Sequence, residues 1–158
     1  MKKAISILLA LLLLFSCASA DKWLGGDGWW DDSYTGNLQY HPETGMTWKL
    51  PSGWIYTGYN DFQKMYEYSD PTGVFTISVF RRDDMGLYDL EPYYSFTKDD
   101  ERSMIILKND RDWFIFANED HMVGYCEGKK GGLFGITMYF PRNADNRKIA
   151  RRIISSVD

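Results

Sequence analysis

The chain has 158 residues, 18 of them basic and 22 acidic, for a net charge of −4, and 16% of it is aromatic. That length suits one domain with a real apolar core, and mild acidity argues against nucleic acid as a partner. Two cysteines are too few for a disulfide framework.

Lys2 and Lys3 give a cationic start, and Ala4 to Phe15 follow as an apolar run broken only by Ser6. This is the shape of an export signal. It is too short to cross a bilayer, which takes roughly 20 apolar residues. Two cleavage sites compete in "LLLLFSCASADKW". Leu14-Phe15-Ser16-Cys17 resembles the bacterial lipobox, although Phe15 is larger than the usual residue there. In that signal the Cys thiol receives a diacylglycerol and becomes the new N-terminus. Ala18-Ser19-Ala20 fits ordinary signal peptidase. The expectation taken here is a signal over residues 1–16 and lipidation at Cys17, with a signal over 1–20 and a soluble periplasmic or secreted protein as the alternative. Acyl chains would hold the protein on a membrane, since each buried methylene contributes about 0.8 kcal/mol. Either cut removes Lys2 and Lys3, leaving 16 basic residues against 22 acidic. Cys126 then has no partner in its own chain.

Residues 21–45 are rich in Gly, Asp and Trp and hold no period of 2 or 3.6. They predict a tether. Trp29 and Trp30 stand within it as contacts for a partner or a membrane interface, or as rings that fold back on the body. Asp27, Asp31 and Asp32 lack the spacing of a calcium loop.

The single domain is expected over 46–158. "MTWKL" predicts a strand, "PSGW" a turn, and "WIYTGY" a second extended piece. "DFQKMYEY" alternates, with Phe62, Lys64, Tyr66 and Tyr68 on one side, and predicts a strand. "SDPTG" turns the chain, and "VFTISVF" returns with Phe75, Ile77 and Val79 on one face. "TKDDERSMIILK" predicts a helix capped by Thr97, although "MIIL" alone suits a strand. "DWFIFA", "HMVGYCE" and "LFGITMYF" predict a three-strand meander. After Pro141, a helix capped by Asn143 or Asp145 gathers Ile149, Ala150, Ile153, Ile154 and Val157 on one side. Arg147, Lys148, Arg151 and Arg152 take the other. The sum is an α+β domain: an antiparallel sheet of about six or seven strands with a C-terminal amphipathic helix packed on it.

"LPSGW", "YEYSDPTGVFTISVF" and the aromatic strands before "NRKIARRIISSV" occur in an order that resembles the PsbP-like fold, named for an extrinsic protein of photosystem II. The likeness runs over residues 46–158 and implies an accessory or binding role. It carries no functional residue to this chain.

Catalytic motifs are sparse. Glu119, Asp120 and His121 are three potential metal ligands at a turn, the basis of an alternative reading as a small metal-dependent hydrolase. A solvated polar turn is the plainer account. His121 and Cys126 lie five apart on one predicted strand, so they face opposite ways. "GKKGG" lacks the order of a phosphate loop. The function expected is a non-catalytic, cofactor-free, lipid-anchored binding or accessory protein of the bacterial cell envelope. Its partner would be an envelope protein or carbohydrate, met by aromatic positions, by Trp29 and Trp30, or by the basic face Arg147, Lys148, Arg151 and Arg152.

Overall fold

The computed structural model of the chain describes residues 34–82 and 102–158. Nine strands and one helix lie within them: β1 (Asn37–Tyr40), β2 (Thr47–Leu50), β3 (Ile55–Asn60), β4 (Met65–Ser69), β5 (Thr76–Arg82), β6 (Ser103–Lys108), β7 (Arg111–Ala117), β8 (His121–Glu127), β9 (Leu133–Tyr139) and α1 (Ala144–Ser155). β1 and β2 pair as a two-stranded sheet. The other seven form one sheet in the order β3-β4-β5-β9-β8-β7-β6, every neighbouring pair antiparallel. The fold is therefore α+β, as the pattern predicts.

One face of the large sheet is the main core. Ile77, Val79, Trp113, Ile115, Met122, Cys126, Ile136 and Met138 point into it, all at most 2% exposed. α1 adds Ala150, Ile153 and Ile154, and the β2 segment adds Met46, Trp48 and Leu50. Asn143 caps the helix, its Oδ1 accepting from the Asn146 amide at 2.7 Å. At the other end, Lys108 of β6 donates to the carbonyls of Ser155 and Val157, where a cation suits the helix dipole. The helix is further tied to β2: the Lys49 amide donates to Ser156 Oγ at 2.8 Å, and Thr47 and Asp158 exchange backbone hydrogen bonds at 2.8 and 2.9 Å.

The second face has a smaller cluster, with Phe114 stacked on Tyr125 at 6.1 Å and Phe80 edge-on to Tyr125 at 6.0 Å. Gly135 lies beneath these rings. A Cβ there would meet the Phe80 ring at less than contact distance and Tyr125 Cε1 at 2.9 Å, so the close approach needs glycine.

Three expectations are corrected. The segment predicted as helix ends in strand β6; residues 97–101, with the Thr97 cap, lie outside the described residues. Cross-strand pairing of Met104–Leu107 with Asp112–Ile115, helped by the strand preference of Ile105 and Ile106, overrides the helical propensity of Met and Leu. The strand predicted from Asp61 starts instead at Met65, and Phe62 sits 96% exposed in the turn that joins β3 to β4. There Asn60 Oδ1 accepts from the Gln63 amide at 3.0 Å, and Lys64 takes a φ of 56°, so a local turn breaks the apparent alternation. Finally, the stretch 21–45 is not tether throughout. Asn37–Tyr40 is β1, and His41 and Thr44 are buried. A strand with almost every side chain outward has no period to read.

Candidate functional site

Cys17, Trp29 and Trp30 lie outside the described residues. Glu119, Asp120 and His121 are described, and they do not converge. The Arg142 guanidinium takes both carboxylates, with Nη1 3.4 Å from Glu119 Oε2 and Nε 2.9 Å from Asp120 Oδ2. His121 turns to the second face of the sheet. Its Nε2 is 2.9 Å from Thr137 Oγ1, and its ring stacks on Tyr139 at 4.3 Å. Burial lowers its pKa, against the pull of Asp120. No group of three His, Cys, Asp or Glu among the described residues is placed to hold a metal. Cys126 lies in the core on the opposite face, and burial pushes its thiol far up, away from the reactive thiolate.

On α1, Lys148 is exposed and Arg147, Arg151 and Arg152 are half-buried. Arg147 lines an open cavity of about 190 Å³ with Glu119, Arg142, Asn143 and Ala144. Arg142 is already compensated there by the two carboxylates.

A site that the sequence pattern does not single out lies on β3 and β4. Phe75, Ile77 and Val79 set the core face of β5, and pairing of Tyr68 with Ile77 and of Tyr66 with Val79 puts both tyrosines on that face. Tyr56 pairs with Tyr68, and Tyr59 with Tyr66. Tyr56 and Tyr59 are three residues apart, so in a regular strand they would point to opposite faces. A β-bulge between Tyr56 and Gly58 inserts Thr57 and brings them to the same face. Gly58 has a φ of 152°, open to glycine and strained for other residues.

The result is two aromatic rows that run from the core to the edge of the sheet. Trp48 meets Tyr68 edge-on at 5.7 Å, and Tyr68 meets Tyr56 at 5.4 Å. His41 meets Tyr66 edge-on at 5.1 Å, and Tyr66 meets Tyr59 at 4.8 Å. The inner members are buried or half-buried, while Tyr56 is 54% exposed and Tyr59 36%. Burial first, then neighbouring Tyr56 and Tyr66, pushes the Tyr68 hydroxyl up to about 12. Burial, then Glu43, Tyr59 and Tyr56, raises Tyr66. These hydroxyls stay neutral and can donate. The rows hold no nucleophile beside a general base; they present rigid aromatic area with polar tips, which is the chemistry of contact surfaces. The available signal was the glycine inside "WIYTGYN", since glycine within a strand marks bulges.

No protein-family model matches the chain, and no curated protein matches it in sequence. Among solved structures, the solution structure of cyanobacterial PsbP (CyanoP) from Synechocystis sp. PCC 6803 is similar. Its TM-score is 0.51 at 11% identity, over 81% of this chain and 95% of that one. A crystal structure from Bacteroides thetaiotaomicron VPI-5482 at 1.50 Å resolution is similar with a TM-score of 0.50 at 16% identity, over 79% of this chain and 48% of that one. The chain thus spans about half the length of the Bacteroides protein. Both likenesses are of fold alone, and the fold is PsbP-like, as the order of motifs implies.

Proposed function

We propose that this chain is an exported, lipid-anchored binding or accessory protein of the bacterial cell envelope, without catalytic activity. The tyrosine surface of β3 and β4 meets an envelope protein. The observation that carries this reading is the pair of aromatic rows ending in exposed Tyr56 and Tyr59, aimed together by the bulge. Exposed aromatics braced by buried ones are already ordered, so binding costs them little side-chain entropy. The lipobox-like sequence ending at Cys17 supplies the anchor. The fold likeness to CyanoP carries no partner with it.

Photo-crosslinking tests the surface. A benzophenone amino acid at position 59, in cells that express the full chain, should give one discrete protein adduct. That adduct should disappear with Tyr56→Ser, while the same probe at position 107 on the opposite sheet edge should not give it. Adducts of equal pattern from both positions would refute the reading. For the anchor, fatty-acid labelling of the wild type that Cys17→Ala abolishes is expected. Equal labelling of both would remove the lipid.

A further inference from the structure

The two aromatic rows on β3 and β4 have a shape and a charge that narrow what can lie on them. Tyr66 and Tyr68 share the core face of β4, and Tyr59 and Tyr56 stand opposite them on β3, the edge strand of the large sheet. Among the described residues, no strand pairs with the outer side of β3. Side chains two positions apart on a strand lie about 7 Å apart, roughly twice the contact distance between carbons. Glu67, between Tyr66 and Tyr68, points to the other face of the sheet. The gap between the rows therefore has room for one flat apolar group.

The edge itself selects against one mode of binding. The bulge between Tyr56 and Gly58 makes β3 a poor template for an added strand. A polyproline II segment needs no ladder. It is extended, its carbonyls are unused within the segment, and it docks in aromatic-lined grooves with little ordering on binding. Tyrosine hydroxyls at the tips of the rows can donate to such carbonyls. Glu43 adds a sign. It follows His41, whose ring meets Tyr66 edge-on at 5.1 Å, and it adds to the rise in the Tyr66 pKa that burial causes. Its side chain is exposed, and its carboxylate has no ion pair among the described residues. The nearby cations Arg81 and Lys130 donate instead to the backbone carbonyls of Glu43 and Pro42, at 3.3 and 2.9 Å.

We propose that the tyrosine surface binds a proline-rich segment of an envelope protein, with a prolyl ring between the Tyr56–Tyr68 and Tyr59–Tyr66 rows and a basic side chain of that segment against Glu43. The inference rests on the reading of this surface as a partner site and names the partner's chemistry. A lysine or arginine on the Tyr66 side of the gap meets the Glu43 carboxylate and the electron-rich ring faces together, and both attract a cation.

The test uses the full chain in detergent and three fluorescent peptides: an oligoproline ending in arginine, the same ending in glutamate, and a glycine–serine peptide ending in arginine. Anisotropy should show the arginine oligoproline binding about fivefold tighter than the glutamate one and about tenfold tighter than the glycine–serine one. Tyr56→Ser should weaken it about tenfold. Glu43→Gln should abolish the preference for arginine while the oligoproline still binds. A cooperative thermal unfolding transition shows that each variant is folded. Equal binding of the two arginine peptides would overturn the proline assignment, and a preference for arginine that survives Glu43→Gln would overturn the role of Glu43. No anisotropy change with any peptide would overturn both. In isolated envelopes, excess arginine oligoproline should also erase the adduct crosslinked from position 59. An adduct that forms and is not competed would overturn this inference and leave the partner surface standing, whereas no adduct at all would remove the surface and the inference together.

Discussion

Lowering the pH from about 7.5 to about 4 gives His41 a proton that its site does not accommodate. The imidazole is 1% exposed. Nδ1 is engaged by Thr44, at 3.3 Å from the amide and 3.0 Å from Oγ1, and Nε2 has no hydrogen-bond partner. Tyr66 and Phe134 meet the ring edge-on at 5.1 and 6.0 Å, and Arg81 is the nearby charge. Burial first, and then Arg81, lower the His41 pKa from 6.5 to about 4. The folded protein therefore binds this proton more weakly than the unfolded chain does. The stability so contributed is intact above pH 6.5 and drains away as the pH falls toward 4. The difference in proton affinity amounts to about 3 kcal/mol, a large share of the total for a small domain. Urea unfolding of the full chain at stepped pH measures it, beside His41→Asn, which keeps an acceptor near the Thr44 amide and cannot charge. The wild type should lose about 3 kcal/mol more than the variant between pH 7 and pH 4. His121 shifts in the same direction but is present in both proteins and cancels. Parallel stability curves for the two would refute the assignment.

Gly135→Ala drives a methyl into the Phe80 and Tyr125 rings and should cost about 1–3 kcal/mol in urea unfolding, with Gly131→Ser as a poor control because its φ of 80° is strained in its own right; Thr57→Ser is the better one. Asn143→Ala removes the acceptor for the Asn146 amide and should cost about 1 kcal/mol, which Asn143→Asp restores.

Periodicity made most of the fold legible. Strands β5, β7, β8 and β9 and helix α1 alternate or repeat plainly because each has one face in the main core. β6 was misread because "SMIILK" suits two states and its partner strand decides between them. A signal was nevertheless present: Asn109 and Asp110 both take positive φ, 51° and 57°, as the two-residue link from β6 to β7, and these residue types favour that loop. β1 gave no sign because pairing with β2, rather than burial of its own side chains, makes it a strand. The tyrosine surface escaped for a different reason. Its tyrosines are spaced by a bulge, and period-2 reading assigns Tyr56 and Tyr59 to opposite faces. The Glu119–Asp120–His121 cluster was adjacent in sequence, yet Arg142, more than twenty residues on, claims the carboxylates, and the sheet pleat sends the imidazole elsewhere.

The paired amides and carbonyls of Thr47 and Asp158 join positions 111 residues apart. A polypeptide threaded outward from its N-terminus must release the region near 158 before the β1–β2 ribbon can be sealed down. Until then Met46, Trp48 and Leu50 have no completed wall to lie against. The same long-range stitch that finishes the body thus delays its closure, because a contact between positions so far apart in sequence closes late.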